Sequence, residues 1–125
     1  MAPERPEIDM PEGDIPFELR IEDIVVGDGE EATTGKKVAV HYVGVAFSSG
    51  EEFDASWNRG QSFEFKLGKG QVIPGWDAGL QGMKVGGRRK LTIPSAMAYG
   101  ARGAGGGLIK PHEPLIFVVD LLAVS

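Results

Sequence analysis

Apolar positions along this chain follow a period of two almost everywhere from Leu19 onward, and they break into a helical period once. Leu19, Ile21, Ile24, Val25 and Val26 lead into Gly27-Asp28-Gly29, which predicts a strand ended by a turn. Lys37 to Val45 (KVAVHYVGV) is dense in β-branched and aromatic residues. Side chains of a strand alternate between faces, so Val38, Val40 and Tyr42 share one face of a central strand. Phe63, Phe65 and Leu67 alternate with Glu64 and Lys66, the pattern of a half-buried strand. Lys90 to Ile93 and Leu115 to Val124 also read as strands, and the last is apolar on both faces, which places it in mid-sheet. The helical interruption lies between Pro74 and Met83, where Trp76, Leu80 and Met83 are spaced i, i+4, i+7 and Pro74 suits a first turn. Strands with one short helix predict an antiparallel α+β domain whose helix covers one sheet face. No internal repeat interrupts this order.

Composition changes the picture at the N-terminus. Pro3, Pro6, Pro11 and Pro16 stand among acidic residues in the first sixteen positions, a mixture with too little apolar surface to offset its ordering entropy. Residues 1–16 are therefore expected to be an acidic, Pro-rich mobile tail, and residues 17–125 one folded domain. The 19 glycines predict many tight turns. The absence of cysteine excludes a disulfide framework, a Cys-ligated metal and a thiolate nucleophile, and permits a cytoplasmic location. No signal-peptide core and no membrane-length apolar run are present, so a soluble, unprocessed protein without a membrane partner is expected.

The net charge of −5 is unevenly distributed: residues 1–31 hold 11 of the 18 acidic residues and only Arg5 and Arg20 as bases. This balance argues against nucleic acid, and the short basic cluster Lys84, Arg88, Arg89 and Lys90 reads as solvated surface. His41 and His112 are far apart in sequence without ligand spacing, so no metal site is expected. No nucleophile elbow or Walker motif occurs, and the glycines at 100, 103, 105, 106 and 107 lack a following Lys-Ser or Lys-Thr, so they form a flexible loop. What remains is a set of large apolar and aromatic residues beside turns: Tyr42, Phe53, Phe63, Val72, Ile73, Trp76, Tyr99 and Phe117. Each alone reads as core, and a generic small barrel remains open on these residues alone.

Their arrangement carries more. Val38–Gly44 (VAVHYVG), Gly50–Ser56 (GEEFDAS), Phe63–Gly68 (FEFKLG), Val72–Gly79 (VIPGWDAG), Met83–Gly86 (MKVG) and Ala98-Tyr99-Gly100 resemble, in order, the motifs of FKBP-type peptidyl-prolyl cis/trans isomerases. The resemblance spans about Leu19 to Val124. It implies a twisted antiparallel sheet of about five strands wrapped around one short α-helix, with the active pocket between them. It implies Tyr42, Asp54, Tyr99 and Phe117 as catalytic residues, Trp76 as the pocket floor, and Tyr42, Phe63, Val72, Ile73 and Phe117 as walls around a proline ring. Phe53, Asp54 and Arg59 would stand at the rim, with Leu108 and Ile109 also contacting ligand. The Tyr99 hydroxyl and the Ile73 N–H would bind peptide carbonyls. An isolated carboxylate beside an apolar pocket is costly, so Asp54 is expected to pair with the Tyr42 hydroxyl and Arg59.

The implied activity is rotation about X-Pro bonds by a monomer that needs no cofactor, acts on proline-containing polypeptides and takes rapamycin-like macrolides. The alternative is a non-catalytic proline-peptide-binding or chaperone module using the same pocket. The chain departs from the family pattern at Ala104-Gly105-Gly106-Gly107 and Leu108-Ile109-Lys110-Pro111, a loop one residue longer, without a His-Pro pair, and too short for an inserted flap domain.

Overall fold

The computed structural model describes residues 4–8, 13–104 and 109–125. Among these, six strands form one antiparallel sheet: β1 (Arg20–Val25), β2 (Lys37–Ala46), β3 (Glu52–Ala55), β4 (Phe63–Lys66), β5 (Arg88–Ile93) and β6 (Leu115–Val124). Their order is β1-β5-β6-β2-β3, and β4 also pairs with β2. β6 lies between β5 and β2, as its two apolar faces predict. The strand missed by the pattern is β3, which carries Glu52 and Asp54 at a sheet edge and is too short, at four residues, for its alternation to stand out.

One edge of β2 is shared. β4 pairs with Lys37–Val40 and β3 with Val43–Val45, which leaves His41 and Tyr42 facing neither strand. A backbone N–H stranded there would be costly. The Ser56 hydroxyl, fully buried at the end of β3, accepts the Tyr42 N–H at 2.7 Å and lies 2.8 Å from His41 Nδ1. The sheet thus opens beside Tyr42 without an orphaned donor.

The helix α1 (Pro74–Gly79) has six residues, shorter than the Pro74–Met83 pattern suggests. So few residues cannot hold a helix by propensity alone. Packing and capping supply the rest. Ile73 is extended (ψ 149°), as a residue before proline prefers, and Pro74 occupies the first turn. Asp77 accepts the N–H groups of Gly68 and Gly70 at 2.8 and 2.9 Å, tying the preceding turn to the helix. Beyond the helix end, Arg89 donates to the carbonyls of Gly79 and Gln81 at 2.8 and 3.0 Å while Asp23 holds its Nε. Leu80 and Met83 are buried as their spacing predicts, although both lie past the helix. Gly75 lets the helix lie flat on β5, because a Cβ there would sit 2.5 Å from the Ile93 side chain.

Val38, Val40, Tyr42, Phe65, Leu67, Trp76, Leu91, Ile93, Leu115, Phe117, Val119 and Leu121 make the core between sheet and helix. β1 is exposed along its length despite its apolar content, because it pairs on one side only. Residues 4–8 of the expected mobile tail lie against the domain: Pro6 is buried, Arg5 pairs with Glu52, and Arg88 donates to the Glu4 carbonyl. Among the described residues, no helix is long and apolar enough to cross a membrane.

Candidate functional site

The gap along β2 becomes a cleft of about 530 Å3, part of it open to solvent, lined by Tyr42, Phe53, Asp54, Phe63, Gln71, Val72, Ile73, Trp76, Tyr99 and Phe117. Trp76 projects from α1 and is 4% exposed. Tyr42 and Phe117 meet it edge to face at centroid distances of 5.0 and 5.2 Å, and Phe63 does so at 6.1 Å. Each such pair adds about 0.5–1.5 kcal/mol beyond the area it buries, so the lining is rigid before any ligand arrives. Phe53 stands edge to face with Phe117 at 5.5 Å. Gly44, between them, has no Cβ because one would lie 2.6 Å from the Phe117 ring and 2.7 Å from that of Phe53.

Three polar side chains close the rim. The Tyr42 hydroxyl donates to Asp54 at 2.6 Å, and Arg59 donates to the other Asp54 oxygen and to the Tyr42 hydroxyl, both at 2.8 Å. The guanidinium carbon lies 5.7 Å from the Tyr42 ring centre. Burial alone would push the Asp54 carboxyl up, but the hydrogen bonds from Tyr42 and Arg59 outweigh it and hold the group below its ordinary range. Asp54 is therefore a carboxylate at neutral pH. Burial, then the hydrogen bond to Asp54, pushes the Tyr42 hydroxyl up, and Tyr99 is pushed up by burial and by the Asp54 charge. Both phenols are neutral donors.

At the mouth, Tyr99 is 40% exposed, and among the described residues its hydroxyl has no hydrogen-bond partner. The Ile73 N–H likewise donates to no described backbone acceptor, while the Ile73 carbonyl accepts from Trp76 and Asp77. The buried Trp76 Nε1 is also unpartnered among these residues. An apolar slot whose edge donors have no partner among the described residues suits a small apolar ring flanked by carbonyls.

The structure brings nine of the sequence-derived residues onto the cleft: Tyr42, Phe53, Asp54, Phe63, Val72, Ile73, Trp76, Tyr99 and Phe117. Arg59 lies behind the rim and reaches it through Asp54 and Tyr42. Ile109, 5% exposed, packs into the core and pairs with Ala104. Leu108 lies outside the described residues. Gln71 is the lining residue that sequence reasoning missed; its Oε1 accepts the Lys66 N–H at 2.9 Å, a contact no motif announces.

Comparison with known proteins agrees with this geometry. A family model described as FKBP-type peptidyl-prolyl cis-trans isomerase matches residues 28–122. The FK506-binding protein of Streptomyces anulatus is 65% identical over 124 residues, covering 99% of this chain and 100% of its own length. Peptidyl-prolyl cis-trans isomerase FPR2 of Saccharomyces cerevisiae is 48% identical over 107 residues, covering 86% of this chain and 76% of its own. The crystal structure of AtFKBP13 superposes with a TM-score of 0.78 at 43% identity, covering 86% of this chain and 93% of that one.

Proposed function

This chain belongs to the FKBP-type peptidyl-prolyl cis-trans isomerase family, and we propose that it catalyses rotation about X-Pro bonds in the cleft floored by Trp76. The observation that carries the reading is the pre-packed aromatic slot with two donors at its mouth, Tyr99 Oη and Ile73 N–H, that have no partner among the described residues.

Rotation about a peptide bond costs about 18–20 kcal/mol because it breaks amide resonance. At X-Pro the cis form is accessible, yet exchange takes tens to hundreds of seconds. The planar amide is more dipolar than the twisted one, so transfer from water to an apolar slot disfavours the ground state more than the transition state. Each 1.4 kcal/mol of such difference is about tenfold in rate, and neither nucleophile nor metal is required. The proline ring rests on Trp76 against Tyr42, Phe63, Val72 and Phe117. Tyr99 and the Ile73 N–H hold the flanking carbonyls so that the peptide folds back and the amide between them twists. Asp54, kept anionic by Tyr42 and Arg59, disfavours negative charge on the amide oxygen, which is greatest in the planar form. Phe53 closes the slot at the rim.

The same slot accepts a macrolide whose ring imitates the proline segment. A monomer in the cytoplasm, acting on proline-containing chains, fits a cysteine-free protein. A protease-coupled assay over several X-Pro peptides tests the reading: acceleration at substoichiometric protein, insensitive to chelators, is expected. Binding of the same peptides without acceleration would leave only the non-catalytic module.

A further inference from the structure

The sheet has a second apolar face, and the N-terminal arm lies on its Val43–Val45 part. Residues that alternate with the core set on β2 and β6, namely Val43, Val45, Ile116 and Val118, point away from α1, yet they are only 2–4% exposed. Two-sided apolarity of β6 placed it in mid-sheet but left open what meets its outer side chains. Val43 and Val45 line a crevice with Arg5, Pro6, Glu7 and Ile8, alongside Gly50 and Glu52. Pro6 is buried. The arm is hooked at both sides: Arg88, on β5, donates to the Glu4 carbonyl, and Glu52, on β3, pairs with Arg5, with β6 and β2 lying between these anchors. The second Glu52 oxygen accepts from Asn58 at 3.0 Å, and Asp120 holds Arg88 Nε at 2.8 Å, so both hooks are themselves fixed.

We propose that this outer face is a second, non-catalytic peptide-binding groove, occupied in the resting molecule by the chain's own Arg5-Pro6-Glu7-Ile8 and able to take polypeptide segments of the same chemistry. That chemistry is read from the occupant and the hooks. Glu52 selects a basic side chain, the valines take the following proline, and Arg88 takes a main-chain carbonyl. An X-Pro segment is thereby held on the face opposite the cleft, which gives an extended proline-containing chain two points of attachment to one enzyme. Tethering makes the arm an efficient competitor, because attachment to the same chain raises its effective concentration at the groove. A client with several such segments displaces it by mass action. The groove does not depend on the catalytic reading of the Trp76 cleft.

The test uses the full chain with methyl-labelled valines and a capped peptide of sequence Glu-Arg-Pro-Glu-Ile. Arg5→Ala with Pro6→Gly releases the arm. In that variant the peptide should move the Val43 and Val45 methyl signals with half-saturation about tenfold lower than in the unaltered chain, where the arm competes. The Trp76 indole reports the cleft separately and should respond alike in both proteins. Glu52→Arg in the released background should abolish the valine response to this peptide and restore it to one with Glu in place of Arg. Valine signals that stay still in the released variant, or that move with the same half-saturation in both proteins, would overturn the proposal, as would indifference to the charge exchange.

Discussion

Tyr42→Phe isolates the rim network, because it removes one hydroxyl and keeps the ring that packs on Trp76 and Phe117. Two hydrogen bonds are lost, the one donated to Asp54 and the one accepted from Arg59. Hydrogen bonds to charged groups contribute about 1.5–3 kcal/mol when sheltered. Here the Asp54 and Arg59 side chains are 42% and 51% exposed, so solvent screening reduces the expected loss to about 1 kcal/mol. For a domain of this size that is a fall in Tm of about 3–6 °C. The pH dependence is more diagnostic than the size. Asp54 has a folded pKa below its ordinary 3.8, so its contribution is present above that value and is lost as pH falls through the folded value. Tyr42 has a folded pKa above its ordinary 10.0, so its contribution is present below that value and is lost as pH rises through the folded value. The stability gap between the unaltered protein and Tyr42→Phe should therefore be widest between about pH 5 and 9 and shrink toward both extremes. Urea unfolding across that range measures it, and a cycle with Asp54→Asn should give a coupling of about 1 kcal/mol. A gap independent of pH, with no coupling to Asp54, would refute the ionised network.

Three further outcomes follow from the cleft. Gly44→Ala should cost about 1–3 kcal/mol by overpacking, since its Cβ would press on Phe117 and Phe53; urea unfolding reports the loss, and the displaced walls should raise KM for X-Pro peptides. Tyr99→Phe should leave stability almost unchanged, because its hydroxyl has no described partner, while lowering kcat/KM by about 1 kcal/mol, or roughly fivefold, for one substrate hydrogen bond. A rapamycin-like macrolide should inhibit competitively and, at 100 times its Kd, add about 2.7 kcal/mol to folding stability, visible as a raised Tm.

Local pattern carried most of the fold. Alternation in Phe63-Glu64-Phe65 and the density of β-branched residues in β2 and β6 are properties of each segment itself. β3 was passed over because its alternation, Glu52-Phe53-Asp54-Ala55, lasts only four residues and takes effect through pairing with β2, and its acidic side chains suit an edge. The helix was overestimated for the opposite reason: Leu80 and Met83 keep the helical spacing, but the helix ends at Gly79 with Leu80 as its cap, and the positive-φ turn at Gly82 keeps Met83 out of it. Most of the cleft was legible because aromatic side chains beside turns are conspicuous once their order is recognised. Gln71 was not, since a carboxamide among glycines carries no periodic signal. Pro6 is the sharpest case. Composition predicts a free tail over residues 1–16, and only the outward-facing valines of a distant strand give the arm something to bury against.

The central claim concerns a place as well as a reaction, so both should be read in one sample. Two-dimensional exchange NMR on an Ala-Pro peptide with substoichiometric, labelled protein gives the cis/trans exchange rate together with the Trp76 indole and Tyr99 ring shifts. The cleft over Trp76 predicts that the catalysed exchange flux (rate constant times peptide concentration) and these shifts rise together with peptide concentration, at one half-saturation, and are lost together when a macrolide is added. Acceleration that persists while Trp76 and Tyr99 remain unmoved would contradict it.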